Sequence, residues 1–309
     1  MKKKILITGG TGFLGYHLIN ACIKKNFKVT SVSTSEPKKI RFLKKVKYLT
    51  CKLEDKSRLK KIIKTKFDYV INFAGHVDHS NKNKTYLSHY IGCKNLCEIL
   101  IEKKLRPRLF IQIGSSLEYG KLKSPHDETM KTKLTNVYGL SKFLATKYLI
   151  GLFKKIKFPV TIIRLYQVYG THQDSNRLIP IVINNCLKNK IFPCSHGKQM
   201  RDFIYVDDVV KAIFKTFKTK AVIGEIVNIG YGKTQKIKNL INSIKKELKG
   251  GKPLFGKIKL RVDEVISYRP NIKKAKKILK WSPSTKFENG LKKTINYYKE
   301  INKKNLTGM

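Results

Sequence analysis

The sequence has few acidic residues, few cysteines and no long apolar run. Its 309 residues contain 20 Asp and Glu against 67 Lys and Arg, so the formal net charge is +47. No apolar run approaches the roughly 18 residues that a membrane-spanning helix needs, and we predict no membrane span. The apolar run after the first four residues covers only 5–7, too short for a signal peptide. We therefore expect a cytoplasmic protein.

The six cysteines are scattered along the chain and form no CxxC motif. A chain of this length can bury a large core and does not need a disulfide scaffold. Cys93 and Cys97 lie one helical turn apart, and we interpret them as buried core thiols rather than metal ligands. We expect no metal.

The lysine excess raises the question of nucleic-acid binding, but its distribution argues against it. Nine of the basic residues are Arg, and the other 58 are Lys spread over the whole chain. Basic patches that bind nucleic acids usually cluster. We therefore favour a solvated lysine surface and predict no nucleic-acid partner, although the positive field would attract an anionic small substrate. Because the chain uses Lys so heavily, each Arg is a candidate for a specific role.

Short apolar runs alternate with helical patterns in the first half of the chain. We predict strands at 5–7, 28–33, 67–73, 109–113 and 160–165, and helices at 13–25 and 135–152. This alternation is typical of an α/β fold, a Rossmann-type doubly wound parallel sheet with helices on both faces. Later strands are predicted at 202–206 and 225–229, and helices at 178–188, 209–217, 237–248, 272–279 and 291–303.

The alternation loosens from about residue 170 onward. We predict a dinucleotide-binding domain at 1–170, to which later segments return, and a smaller α+β substrate lobe that makes up most of 171–309.

A glycine-rich turn joins the first strand to the first helix. Gly9, Gly12 and Gly15 form GxxGxxG, which lets backbone N–H groups at a helix N-terminus approach a pyrophosphate. An ordinary strand–helix turn is the alternative, but the position between strand and helix favours a dinucleotide site. The residues predicted to bind the cofactor at this turn are Gly9, Thr11, Gly12, Phe13, Leu14 and Gly15.

The second predicted strand ends without the acidic residue that usually binds the adenosine ribose. Ser33 stands at that end, and the first acid, Glu36, is followed by Lys38, Lys39 and Arg41. Hydroxyl groups with nearby cations suit a 2′-phosphate better than a bare ribose. The sequence thus favours NADP(H) over NAD(H).

A Tyr and a Lys four residues apart share one helix face, and the ammonium would lower the pKa of the phenol from about 10. The chain has four such pairs, and about three are expected by chance: Tyr48/Lys52, Tyr90/Lys94, Tyr119/Lys123 and Tyr138/Lys142. Context selects Tyr138, which begins a helix 23 residues after Ser115 at the end of a predicted strand. A hydroxyl and a Tyr-Lys pair can meet there over a cofactor.

Together these segments resemble the extended short-chain dehydrogenase/reductases, in particular the nucleotide-sugar epimerase/dehydratase group. The resemblance covers almost the whole chain. It rests on TGGTGFLG (8–15), NFAG (72–75), GSSLEYG (114–120), YGLSK (138–142), RLYQVYG (164–170), NRLIP (176–180), RDFIYVDDV (201–209), VNIGYG (227–232) and RPNIKKAKKILKWSP (269–283).

The resemblance implies that Tyr138 is the general acid/base and that Lys142 holds the nicotinamide ribose and tunes Tyr138. Ser115 would bind the reacting sugar oxygen, with Ser116 as the alternative. The other implied positions are Ala74 and Gly75 against the cofactor, Arg201 and Arg261 on the diphosphate, Asn176 and Arg177 on the substrate loop, and Gln167 in the substrate site. We interpret Asp207 and Asp208 as helix caps rather than catalytic acids.

The sequence departs from the family pattern at several positions. Lys52, His89 and Gln167 stand where the family has Asp, Asn and Asn. The dehydratases carry an Asp-Glu pair after the catalytic hydroxyl, where this chain has Ser116 and Leu117, with Glu118 shifted by one. A 4,6-dehydratase is therefore disfavoured.

The substrate implied by the resemblance is a nucleoside-diphosphate sugar, and the partner is a second copy of the chain in a homodimer. We favour a 4-keto-sugar reductase that releases NADP(H), with a nucleotide-sugar 4-epimerase as the alternative. A protein of another class, which binds a cofactor or nucleic acid without catalysis, stays open.

Overall fold

The structure, a computed structural model, describes residues 2–76, 80–260 and 264–306. The strands are, in chain order, β1 (Lys4–Thr8), β2 (Lys28–Ser33), β3 (Val46–Thr50), β4 (Tyr69–Asn72), β5 (Leu109–Ser115), β6 (Val160–Leu165), β7 (Gln167–Tyr169), β8 (Ile191–Pro193), β9 (Met200–Tyr205), β10 (Ile226–Ile229), β11 (Thr234–Lys236), β12 (Lys252–Leu254) and β13 (Ser267–Tyr268). The helices are α1 (Phe13–Lys24), α2 (Lys56–Ile62), α3 (Lys82–Tyr86), α4 (Gly92–Glu102), α5 (Val137–Ile156), α6 (Leu178–Leu187), α7 (Val206–Thr216), α8 (Ile237–Leu248), α9 (Lys273–Leu279) and α10 (Phe287–Leu306).

Seven strands in the described part of the chain form one parallel sheet in the order β10-β6-β5-β4-β1-β2-β3. The strand order reverses between β1 and β4, and ligands of open α/β sheets bind at the carboxyl ends of strands beside such a reversal. The prediction of a Rossmann-type doubly wound sheet is confirmed, and the glycine turn after β1 lies at the reversal.

The sheet is covered on both faces because its strands are apolar on both sides. In β1, Ile5 and Ile7 pack with residues of α1, α7 and α9, while Leu6 packs with residues of α2, α4 and α5. Successive side chains of a strand point to opposite faces, so a continuous apolar run requires two layers of helices. Cys93 and Cys97 are buried in the second of these layers, on α4.

A second, smaller layer forms around β9. This strand pairs with β11, β13 and β7, and α6, α8 and α10 supply most of the apolar core beside it. The chain then returns to the large sheet through β10, which pairs with β6. The segments after residue 170 therefore contribute to both sheets.

Most predicted elements are present with shifted ends, and one shift matters for the site. Strand β5 continues two residues beyond the predicted end, to Ser115, which places this serine at the carboxyl edge of the sheet. Helix α5 begins at Val137, where the Asn136 side chain accepts a 2.8 Å hydrogen bond from the Gly139 amide. Such an N-cap fixes where a helix starts.

Candidate active site

The glycine turn has the geometry of a pyrophosphate cradle. Gly9 adopts φ +69°, and a Cβ there would lie 3.0 Å from the Ala74 nitrogen. A Cβ on Gly15 would lie 2.4 Å from the Gly9 carbonyl oxygen, so only glycine permits this approach of α1 to the turn. Gly12 is the N-cap of α1 and brings no side-chain cap to the first amides of the helix. A helix N-terminus of this kind binds anions, so the residues fit a dinucleotide.

The segment after β4 packs against this cradle. Ala74 donates its N–H to the Asn72 side chain at 3.2 Å, which holds the segment at the sheet edge. Gly75 approaches His89 so closely that a Cβ would overlap the imidazole ring. The His89 ring in turn contacts the Tyr138 ring edge-on, with ring centroids 5.0 Å apart. Gly75 and His89 therefore connect the predicted cofactor segment to the Tyr138 side of the cleft.

Ser115 and Tyr138 meet at the carboxyl edge of the sheet and share a side-chain hydrogen bond. The meeting depends on Gly139, because a Cβ there would lie 2.5 Å from the Leu117 carbonyl oxygen. Glycine thus lets the first turn of α5 pack against the short turn that follows β5. Ser116, the alternative hydroxyl, is buried at the start of that turn.

Lys142 distinguishes its tyrosine pair from the other three. Its side chain is only 4% exposed, the one lysine among the buried residues of the described chain. Lys52 and Lys123 are exposed, and Lys94 is partly exposed. The Lys142 ammonium donates a 2.7 Å hydrogen bond to the Ile113 carbonyl oxygen. Burial lowers the pKa of Lys142 to about 8, against the opposing charge of Glu118.

The effect of Lys142 on the pKa of Tyr138 stays a prediction, because the largest cause of the pKa shift of this phenol is burial. Burial raises the pKa of the Tyr138 phenol above its ordinary value of 10, although the Ser115 hydrogen bond and the positive charge of Arg177 oppose this rise. The ammonium of Lys142 lies 5.9 Å from the centre of the Tyr138 ring and bonds the Ile113 carbonyl instead. Arg177, predicted on the substrate loop, is thus near enough to act on the phenol.

A buried ion pair lies beneath Ser115. The Glu118 carboxylate accepts hydrogen bonds from the Ser115 amide (2.8 Å), the Thr146 hydroxyl (2.8 Å) and Arg164 Nε (3.0 Å). Arg164 Nη2 approaches the same carboxylate at 3.0 Å, and both side chains are almost fully buried. The Glu118 carboxylate is therefore held by buried partners of its own. This ion pair was not predicted from the sequence, although the scarcity of Arg had marked Arg164 as a candidate for a specific role.

The remaining predicted substrate residues are less closely grouped. Gln167 is exposed on β7, and Asn176 is exposed just before Arg177, the N-cap of α6. Arg201 is buried, forms an ion pair with Glu264, and donates to the carbonyl oxygens of Met200 and Ile266.

Arg261, also predicted on the diphosphate, lies outside the described residues.

The capping role expected for Asp207 and Asp208 was wrong. Helix α7 begins at Val206 and has no side-chain N-cap, with both acids in its first turn. The Asp208 carboxylate accepts backbone hydrogen bonds from Ser284 and Thr285, at 3.1 and 2.8 Å. It fastens the segment before α10 to α7, because those two amides precede a helix and would otherwise lack an acceptor.

The β1–glycine turn–α1 unit, the strand order and the Ser115–Tyr138–Lys142 set define an NAD-binding α/β protein of the short-chain dehydrogenase/reductase type. The chain belongs to the NAD dependent epimerase/dehydratase family, whose model matches residues 5–230. This family acts on nucleotide sugars. No helix in the described ranges is both long and apolar enough to cross a membrane.

Relatives of similar identity differ in the reaction that their names give. The chain is 31% identical to a putative UDP-glucose 4-epimerase of Methanocaldococcus jannaschii, over 97% of this chain and 99% of that protein. It is also 31% identical to the human dTDP-D-glucose 4,6-dehydratase, over 96% and 90%. Among solved structures, a UDP-glucose 4-epimerase of Thermotoga maritima with UDP-glucose superposes with a TM-score of 0.90 at 25% identity, covering 96% of this chain and 99% of that one.

Proposed function

We propose that the protein is a nucleotide-sugar 4-epimerase that exchanges hydride with the sugar through a retained NAD(H). The observation that carries this proposal is the hydrogen bond between Ser115 and Tyr138 at the carboxyl edge of β5, beside the glycine cradle. This pairing of a hydroxyl with a phenol supports a site in which both side chains would reach a sugar oxygen above the cofactor.

Each residue of the site has a separate task in this proposal. The bound nicotinamide would supply the hydride acceptor and donor. Tyr138 Oη takes the proton from the sugar hydroxyl as its carbon becomes a carbonyl, and returns it later. Ser115 Oγ holds the same sugar oxygen, and Arg177 places a positive charge near the phenol that stabilises phenolate. Lys142 holds the nicotinamide ribose.

The substrate would be a nucleoside-diphosphate sugar, consistent with the positive field of the chain. Arg177 and Arg201 would bind its diphosphate, and for Arg201 this requires the diphosphate to replace or join Glu264.

We also propose a homodimer, which light scattering of the purified protein would detect as a doubled mass.

A 4-keto-sugar reductase is the second candidate. It is favoured by Ser33, which leaves the end of β2 without the acid typical of tightly held NAD. The cations after β2 were also expected to favour the 2′-phosphate of NADP(H). That support is weakened, because Lys38 and Arg41 both form ion pairs with Asp174. This pairing is why we rank the epimerase first, in contrast to the preference drawn from the sequence.

The first experiment identifies the nicotinamide that copurifies with the protein. The protein is denatured, released small molecules are measured by mass spectrometry, and the native protein is assayed for interconversion of UDP-glucose and UDP-galactose. Stoichiometric NAD⁺ or NADH together with 4-epimer formation supports the proposal. An absent cofactor, with NADPH consumed in the presence of 4-keto-6-deoxy sugar nucleotides, would replace it with the reductase. No binding of either nicotinamide would indicate a protein without this chemistry.

A further inference from the structure

Two of the three cations that follow β2, Lys38 and Arg41, are engaged by a single carboxylate from another part of the chain. Asp174 Oδ1 lies 3.1 Å from Lys38 Nζ and 3.0 Å from Arg41 Nη2. The Arg41 side chain is buried, whereas those of Lys38 and Asp174 reach the surface. Asp174 lies far along the chain, between β7 and α6, so no local sequence pattern indicates this cluster.

This cluster lies beside the place where a dinucleotide-binding fold recognises the adenosine ribose. The Thr11 amide of the glycine turn donates to Ser33 Oγ at 3.3 Å, at the carboxyl end of β2. The Thr11 carbonyl oxygen is 3.5 Å from Arg41 Nη1. Thr11 thus joins the end of β2 to the guanidinium. In this fold an acid at that end binds the ribose hydroxyls, or a nearby Arg accommodates a 2′-phosphate.

The position of the Asp174 carboxylate is restrained, because the backbone of the three residues before it forms hydrogen bonds with three different elements. The carbonyl oxygens of three successive residues, 171 to 173, each accept a hydrogen bond from a side chain of a different element. The pairs are Thr171 with His17 of α1, His172 with Arg41, and Gln173 with Tyr298 of α10. Asp174 follows directly, and its own carbonyl oxygen accepts the Arg177 amide at 3.1 Å.

We propose that Asp174 determines cofactor choice: its carboxylate neutralises Lys38 and Arg41 and thereby selects NAD(H) against NADP(H). A 2′-phosphate would need the same two cations and would meet the negative charge of Asp174 beside them. Asp174, in the segment between β7 and α6, thus supplies the negative charge that Ser33 does not provide. This inference rests on the proposed function only in requiring that a nicotinamide dinucleotide binds.

The test measures binding rather than turnover. Dissociation constants for NAD⁺ and NADP⁺ are determined by isothermal titration calorimetry on protein from which copurified nucleotide has been removed. The variants are Asp174→Asn, which keeps the shape without the charge, and Asp174→Glu, which restores the charge. Asp68→Asn is the matched control, since Asp68 pairs with Arg108 at 3.1 Å just before β4, at the amino edge of the sheet.

We expect the wild type to bind NAD⁺ at least about tenfold more tightly than NADP⁺. Asp174→Asn should tighten NADP⁺ binding by about tenfold or more and change NAD⁺ binding by less than about threefold. Asp174→Glu and Asp68→Asn should keep the wild-type ratio.

A wild type that prefers NADP⁺, or an Asp174→Asn variant with an unchanged ratio, would overturn the proposal. If Asp174→Asn does not fold, Asp174→Ser removes the same charge with a smaller side chain and should also tighten NADP⁺ binding by about tenfold or more. Failure of every folded variant to bind either nucleotide would instead refute the proposed function, so the two failures are distinguishable.

Discussion

The ammonium of Lys142 donates a 2.7 Å hydrogen bond to the carbonyl oxygen of Ile113, two residues before Ser115. This bond fixes α5 to the end of β5 from inside the protein. It therefore fixes the position of Tyr138, one helical turn earlier on α5, relative to the Ser115 hydroxyl. The Lys142 ammonium is buried, and the free-energy cost of burying its charge has a measurable consequence.

Folding stability should depend on pH through Lys142. Burial lowers its pKa to about 8, against 10.5 for an exposed lysine, so between these pH values the unfolded chain binds more protons than the folded one. The free energy of unfolding should therefore rise with pH over this window, by on the order of 3 kcal/mol from this group. Urea unfolding of the wild type and of Lys142→Met at several pH values isolates the contribution. An equal pH dependence in both proteins would contradict it.

Removal of the Tyr138 hydroxyl should abolish most turnover without loss of cofactor binding. We expect Tyr138→Phe to lower kcat by on the order of 10² or more, because proton transfer to and from the sugar oxygen loses its general acid/base. The matched control is Tyr90→Phe, the tyrosine of another YxxxK pair, whose lysine is not buried. Steady-state kinetics of both variants on the interconverted sugar nucleotides provide the check. A loss of only a few-fold in Tyr138→Phe would assign the role to another group.

Neutralising Glu118 should destabilise the fold far more than neutralising an exposed acid. Glu118→Gln leaves the buried Arg164 guanidinium without its counter-charge, which typically costs about 3–5 kcal/mol. Glu98, paired with Lys56 at 2.7 Å on the surface, is the control, and Glu98→Gln should cost less than about 1 kcal/mol. Denaturant titration at neutral pH measures both. A similar loss in the free energy of unfolding for both substitutions would mean that the buried ion pair stabilises the fold no more than the surface pair.

Two glycine substitutions should act in opposite directions. Gly15→Ala would place a Cβ 2.4 Å from the Gly9 carbonyl oxygen and 2.5 Å from the Gly10 Cα, so α1 must move and cofactor binding should fall by tenfold or more. Gly151→Ala meets no atom within 4 Å and lies inside α5, so it should stabilise the protein by up to about 1 kcal/mol. Calorimetric titration with NAD⁺ and thermal melts of both variants test this pair. Unchanged NAD⁺ affinity in Gly15→Ala would contradict the cradle geometry.

Local patterns predicted the framework of this protein well. The glycine turn, the apolar strands and the order of strands and helices follow from short-range periodicity, which the sequence records directly. Several elements were not predicted: helices α3 and α4, the short strands β7, β8, β11, β12 and β13, and also strand β3 and helix α2. Strand β3 lies at the sheet edge and is partly exposed, and most residues of α2 are exposed, so neither has a strong apolar pattern. Element ends also shifted, because caps such as Asn136 and strand pairing decide them.

The sequence by itself determined the fold, the family and the candidate hydroxyl, phenol and ammonium, since these depend on motifs whose residues are close in the chain. Only the tertiary structure decided which charged side chains are paired within the protein and which remain able to bind a ligand. Arg41 with Asp174, Arg164 with Glu118 and Arg201 with Glu264 are pairs from distant segments. The same holds for the raised pKa of Tyr138, which depends on burial. Burial and long-range charge pairing arise only when the chain is folded, because each requires segments that the sequence separates to pack together.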